Sequence, residues 1–339
     1  MSASREPLAK RVTLEEVARV AGVSRATVSR VVNGVATVDE NIRQVVERAI
    51  STTGYLPNLA ARSLVTRRAD AVALVLPDES RIIGDPFFTR IVTGVTSIVR
   101  PLGVHLVLMM TGPDTGEQVL TDLRQGRLDG VILVHTHEND PLPGLLVNSQ
   151  RPVVVSARPS RPIPITYVDV NQTAGGALAA EHLVARGCKR VATITGSLDR
   201  TPGHERLAGF RGAMSALGQP DIVTVEGNFT RESGAEAMER LIIRYPEVDG
   251  VFIASDLMAE GALPVLRRHG RAVPDDVAIV GFDDSSAALS CDPPLTTVRQ
   301  PVEDMAAEMA RLLLRQVENG DTPVRAVIFE PTLVVRQSA

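Results

Sequence analysis

From residue 71 onward the chain alternates between short apolar runs and longer segments of helical periodicity, and few folds accept that pattern. Strand-length runs fall at 71–76, 104–110, 130–134, 152–156, 190–195, 221–226, 250–254 and 277–282. Helical stretches fall between them, at 89–102, 116–125, 174–186, 204–217, 232–244 and 257–269. Such alternation builds parallel sheets covered by helices on both faces. The runs are apolar at successive residues, which suits strands buried on both sides. Eight such units exceed one open sheet of common size, so the pattern predicts two similar subdomains.

Open α/β sheets bind ligands beyond the carboxyl ends of their strands. There stand Asp85-Pro86-Phe87-Phe88, then Arg206, then Ser255-Asp256 and Asp283. A carboxylate and a guanidinium facing one cleft grip vicinal hydroxyls by charge-assisted bonds. Phe88 and Phe229 offer apolar faces for a sugar ring. The plainer reading makes Arg206 and Asp283 a pair that braces a lobe, and Phe88 and Phe229 ordinary core.

The first sixty residues read differently. Thr13 precedes the helical segment 14–21 and Glu16 stands three residues on, the spacing of a capping box. Gly22 ends the segment with a residue that accepts the left-handed backbone of a tight turn. Ser24 caps a second helix over 25–33, with Val28, Val31 and Val32 on one face. A third helix over roughly 40–52 turns Ile42, Val45, Val46, Ala49 and Ile50 inward. The result is a three-helix unit that begins with a helix-turn-helix. The outer face of its second helix carries Arg25, Thr27, Ser29 and Arg30, with small Ala26 in the first turn. Arginine suits bidentate contact with guanine, and hydroxyls suit phosphate.

Charge agrees with this division. Residues 1–68 hold 11 Lys and Arg against 6 Asp and Glu, net +5; the rest hold 25 against 34, net −9. A basic head on an acidic body suits a head that meets a polyanion. No apolar run reaches the roughly 18–20 residues of a membrane helix, and the polar N-terminus lacks a secretory signal, so a cytoplasmic location is predicted. Cys188 and Cys291 then read as reduced thiols. Hydrolase, nucleotide-loop, zinc-protease and Cys-x-x-Cys signatures are missing, and His135 with His137 makes a weak metal hint. These observations exclude the common enzyme classes.

The run from Thr13 to Asn33, followed by Gly54-Tyr55-Leu56-Pro57-Asn58, resembles the lactose-repressor (LacI/GalR) family of bacterial regulators. So do Val168-Asp169, Glu205-Arg206-Leu207-Ala208-Gly209-Phe210, Ala254-Ser255-Asp256, Val280-Gly281-Phe282-Asp283-Asp284 and the stretch 293–301. The resemblance covers nearly the whole chain. It implies an all-α helix-turn-helix headpiece over 1–57 and a hinge helix with linker over 58–69. It further implies a periplasmic-binding-protein type I effector domain of two parallel-sheet α/β lobes over 70–339. The first lobe takes about 70–168 and 300–329, the second about 171–297 and 332–339, with crossings near 168–171, 297–301 and 329–332.

By the same resemblance, Arg25, Ala26 and Arg30 read bases, while Ser24, Thr27, Ser29, Asn33, Tyr55 and Asn58 touch or orient on phosphate. The segment 58–64 is too short to be a stable helix alone. Leu64 at its end matches a leucine wedge in the minor groove. Arg206, Phe229, Ser255 and Asp283 match effector-binding positions, and Phe88 joins the expected effector site as an apolar face. The implied protein is a repressor that binds a near-palindromic operator as a homodimer, controlled by a small-molecule effector, with no cofactor and no metal. The absence of a C-terminal heptad helix favours a dimer. Three positions depart from the family pattern. Ile42 stands where many members carry a phosphate-contacting Thr, Ser255 where sugar binders carry Asn, and Ser156-Ala157 where many carry Asp. The loop 78–84 is long for its place before Pro-Phe-Phe. The rival reading is a solute receptor with a vestigial head.

Overall fold

In the body, hydrophobic residues alternate between two faces of each sheet, and each face has its own helices. The computed structural model describes residues 12–35, 37–55, 68–76, 84–110, 115–134, 140–320 and 323–339. The chain divides into two compact units, residues 1–69 and 70–339.

The first unit holds α1 (Leu14–Ala21), α2 (Arg25–Val32) and α3 (Glu40–Thr53). The Thr13 hydroxyl accepts from Glu16 N, and Glu16 returns a carboxylate to Thr13 N, so the capping box is complete. Gly22 sits at φ 65°, in the region where a Cβ is costly. Val17, Ala18, Val28, Val31, Val46, Ala49 and Tyr55 form the core. Ile42 and Val45, expected to turn inward, are instead 38% and 37% exposed. Val46, next to Val45, is fully buried, so the covered stripe of α3 is narrower than its period suggests, and Ile42 and Val45 lie outside it.

The second unit has two six-stranded sheets of matching topology. The first runs β11-β5-β4-β3-β1-β2, from β1 (Ala71–Leu76), β2 (His105–Met110), β3 (Gly130–Leu133), β4 (Val153–Ser156), β5 (Thr166–Val170) and β11 (Ala326–Phe329). The second runs β12-β10-β9-β8-β6-β7, from β6 (Val191–Thr195), β7 (Val223–Glu226), β8 (Gly250–Ile253), β9 (Ala278–Asp283), β10 (Thr296–Arg299) and β12 (Thr332–Val334). Pairing is parallel throughout, as in Val72 opposite Leu106 and Val251 opposite Ile279, except for antiparallel β10–β12.

All eight runs read as strands form strands. The four others, β5, β10, β11 and β12, lie where crossings alone were expected, because each borders a passage between lobes. The chain leaves the first sheet after β5, returns after β10, and crosses once more between β11 and β12.

The helices of the body are α4 (Pro86–Val99), α5 (Thr115–Arg124), α6 (Leu142–Asn148), α7 (Gln172–Ala185), α8 (Thr201–Ala216), α9 (Arg231–Arg244), α10 (Asp256–Arg268), α11 (Ser286–Ser290) and α12 (Val302–Asn319). In the second lobe, Val251 and Ile253 pack beneath α9 and α10, while Phe252 between them packs with Phe210 and Phe282 beneath α7 and α8. That period of two on a doubly covered sheet explains the unbroken apolar runs. In the first lobe α12 packs on α4 and on β3, β4 and β5. The strand order 2-1-3-4-5 within each sheet places a crevice at the carboxyl ends, between the first strand and the third. In the second lobe those strands are β6 and β8.

Candidate functional site

The headpiece presents a capped helix with a polar face. Ser24 Oγ accepts from Thr27 N at 3.1 Å and lies 2.9 Å from Thr27 Oγ1. Arg25, Ala26, Arg30 and Asn33 are exposed, and Thr27 and Ser29 are half-buried. Arg25 Nε lies 2.8 Å from Glu15 on α1, with both side chains more than 60% exposed; so open a pair contributes little to stability and leaves the guanidinium free to swing. Asn33 Nδ2 donates to Ser29 Oγ at 3.3 Å. Tyr55, named for phosphate, is 7% exposed and packs its ring in the core. Asn58 and Leu64, with the whole hinge 58–64, lie outside the described residues, as do His135, His137 and residues 78–83 of the long loop.

In the body, the second lobe gathers charge at the crevice between β6 and β8. Arg206, on α8 and 4% exposed, donates from Nε to Gln172 Oε1 at 2.8 Å and from Nη1 to the Ala254 carbonyl at 2.6 Å. Ala254 directly follows β8, so this guanidinium sits at the topological switch point. It lies 3.6 Å over the Phe282 ring and 5.8 Å from the Phe229 ring, within reach of a cation–π attraction. Its Nη1 is 3.6 Å from Asp283 Oδ1. Burial pushes the Arg206 pKa down, and Asp283, Asp169 and Asp256 oppose that shift.

Burial likewise raises the acids. Asp283 is pushed up to about 6, with Arg206 pulling the other way and Asp85 adding to the rise. Arg90 on α4, from the first lobe, donates to the Asp283 carbonyl at 2.9 Å, so α4 runs beside Asp283. Asp256 is raised well above its usual range, first by burial and then by Asp283. Its oxygens accept from Thr297 Oγ1 at 2.6 Å and Ser285 N at 2.7 Å. Asp169 is raised by burial and accepts from Arg158 N, Val170 N and Gln172 Nε2.

Ser255 caps α10 through Met258 N at 3.2 Å and is buried beside this cluster. Phe229 stands at φ 69° with its ring against Gly196. A methyl group at Gly196 would occupy the ring's place. Four of the five effector candidates, Arg206, Phe229, Ser255 and Asp283, therefore belong to one floor. Phe88 does not join them. It is 8% exposed and packs in the first lobe's core with Ile91, Val95 and Met305. No helix among the described residues is long and apolar enough to cross a membrane.

Comparison with known proteins agrees with this architecture. Residues 13–58 match the model of bacterial regulatory proteins of the lacI family, and residues 180–339 match a periplasmic binding protein-like domain. The HTH-type transcriptional regulator CelR of Thermobifida fusca is 44% identical over 97% of this chain and 98% of its own.

The chain belongs to the LacI family.

Among solved structures, a CelR–cellobiose complex superposes with a TM-score of 0.76 at 41% identity, covering 97% of this chain and all of that one. A lac repressor dimer bound to operator and the anti-inducer ONPF gives 0.85 at 26% identity, covering 97% and 99%. As a member of the LacI family the protein is a DNA-binding regulator of transcription and not an enzyme. The family fold is the one present here, a helix-turn-helix head and a two-lobed periplasmic-binding-protein-like body.

Sequence reasoning missed part of the floor. Gln172, Asp169, Phe282 and Gln300 all touch Arg206 or Asp283 or their partners. Gln172 falls between the expected crossing at 168–171 and the expected helix from 174, with no local pattern to mark it. Asp169 and Gln300 had been assigned to crossings, where a polar side chain reads as linker. Phe282 was legible as strand core but not as the plate beneath a guanidinium.

Proposed function

We propose that the protein is a repressor that binds a near-palindromic operator as a homodimer and responds to a neutral sugar held between its lobes. The observation that carries this reading is the Arg206–Asp283 pair at the switch point of the second lobe, in the same chain as a capped, arginine-faced helix. In this reading Arg25 and Arg30 meet base edges, with Ala26 between them in shape only. Ser24, Thr27, Ser29 and Asn33 hold the backbone, with Tyr55 by its hydroxyl, and Asn58 joins them from the hinge. Leu64 is the minor-groove wedge. Arg206, Asp283 and Ser255 grip hydroxyls, and Phe229 covers a ring face. Phe88 acts from behind, by supporting the start of α4.

The headpiece then spans 1–57, the hinge 58–69 and the effector domain 70–339, and the protein works in the cytoplasm. Three buried acids around one guanidinium disfavour an anionic effector and leave a polyol as the better match. The resemblance to a regulator solved with cellobiose makes a β-linked glucose disaccharide the first ligand to try. The test is to select DNA from a random pool with the full chain and then titrate cellobiose into the complex. A two-fold-symmetric site whose affinity changes 5–150-fold with sugar is expected from couplings of about 1–3 kcal/mol. Recovery of no symmetric site would sink the operator reading.

A further inference from the structure

We propose that Arg90 is a positioning residue that couples the first lobe to the effector-gripping Asp283 of the second. The inference rests on the reading of Asp283 as an effector contact. Arg90 lies on α4, in the first lobe. Its Nε and Nη2 donate to the two carboxylate oxygens of Glu303 on α12, each at 2.7 Å. Its remaining donors leave that helix pair. Nη1 donates to the Asp283 carbonyl at 2.9 Å, and Nη2 to the Gln300 carbonyl at 3.2 Å. One guanidinium thus bridges the first lobe, a crossing segment and the end of β9 in the second lobe.

The residue it holds is unusually constrained. Asp283 has φ 116° and Asp284 has φ 50°, both in the region that favours glycine. The Asp283 carboxylate accepts from Gln300 Nε2 at 2.6 Å and faces Arg206, while its carbonyl faces Arg90. Asp284 pairs with Arg299 and Arg336, and Ser285 N is held by Asp256. The turn is pinned by its own lobe and the crossings, and Arg90 ties it to α4 as well. Any shift of α4 relative to β9 pulls on the backbone of the residue whose side chain meets Arg206.

The local packing makes this tie stiff. Gly94, one helical turn after Arg90, lies so close to α12 that a methyl group there would strike the Glu303 carbonyl and Ala306. The crossing of α4 and α12 is therefore fixed where Arg90 meets Glu303. Beyond it lies an open groove of about 650 Å³ lined in part by Asp85, Arg90, Asp284 and Glu303. A shorter polar side chain at position 90 would be solvated there, so Arg90→Gln is expected to fold. Lysine can pair with Glu303 as a point charge but lacks the planar fork needed to hold two carbonyls as well.

The test compares wild type, Arg90→Gln, Arg90→Lys and Asp283→Asn in the full chain, by amide hydrogen exchange without ligand and by cellobiose calorimetry. Arg90→Gln should speed exchange at least 5-fold in the peptide covering 282–287, in the opposite lobe, and Arg90→Lys should fail to restore it. Acceleration confined to 86–99 and 302–319, or full restoration by lysine, would mean a plain Glu303 pair and overturn the proposal. In calorimetry, Arg90→Gln should weaken cellobiose 5–20-fold while Asp283→Asn abolishes binding. Wild-type affinity in Arg90→Gln overturns the coupling. A wild-type chain that takes no cellobiose overturns the choice of sugar, and the exchange result then decides Arg90 alone.

Discussion

Arg206 is a buried cation among three buried carboxylates, Asp169, Asp256 and Asp283. Removing it strands those charges, and the loss of one partner from a buried pair costs about 3–5 kcal/mol. Arg206→Met should therefore lower the thermal midpoint of the body as well as abolish sugar binding; a Tm unchanged within 1 °C or so would show the pair to be energetically idle. Asp283 behaves differently, because burial already raises it to about 6. A carboxyl whose folded pKa lies above its unfolded value binds more protons when folded. Its contribution therefore falls as pH rises from about 4 through about 6. Asp283→Asn removes that loss. The variant's stability relative to wild type should climb between pH 4.5 and pH 7, by up to about 3 kcal/mol at the limit of a two-unit shift. Chemical denaturation at both pH values checks this, and a gap that does not change with pH would refute it.

Helix α2 is only eight residues long, far below the length that is stable alone in water, so its N-cap carries unusual weight. Ser24 has two roles to separate, the cap on Thr27 N and the proposed phosphate contact. Ser24→Ala removes both and should cost the headpiece about 1 kcal/mol along with DNA affinity. Ser24→Asp keeps an excellent cap but sets a negative charge against the phosphates. It should hold the headpiece midpoint near wild type and still weaken DNA binding more than alanine does. Wild-type DNA affinity in Ser24→Asp would mean that Ser24 acts through the helix alone. Ile42 and Val45, exposed beside the buried Val46, make a related point about α3: period predicts a face, but only packing decides how much of it is covered.

The charge asymmetry of the chain becomes a statement about association. A head of net +5 should bind DNA with a steep loss of affinity in salt, since log K falls by about 0.9 per phosphate neutralised for each tenfold rise in salt. Because residues 1–69 and 70–339 form separate compact units, a chain starting at residue 70 should keep sugar binding and lose DNA binding. Calorimetry and gel shift on that fragment test the division directly. Loss of sugar binding on truncation would place part of the effector site in the head.

Local and periodic properties were readable before any coordinates. The capping box at Thr13 and Glu16, the turn at Gly22, the cap at Ser24 and all eight expected strands depend on short-range chemistry and on a period of two or 3.6. The residues of the cleft floor were readable by type, as charges at the ends of strands. Their partnerships were not. The Arg206 contacts span 34 residues to Gln172 and 48 to Ala254, and Arg90 reaches 193 residues to the Asp283 carbonyl. Such contacts depend on how strands are ordered and where the chain crosses between lobes, and no local pattern encodes that. Phe88 shows the same limit from the other side. A phenylalanine after a strand end reads equally as cleft wall or core, and only the packing of α4 against α12 turned it inward.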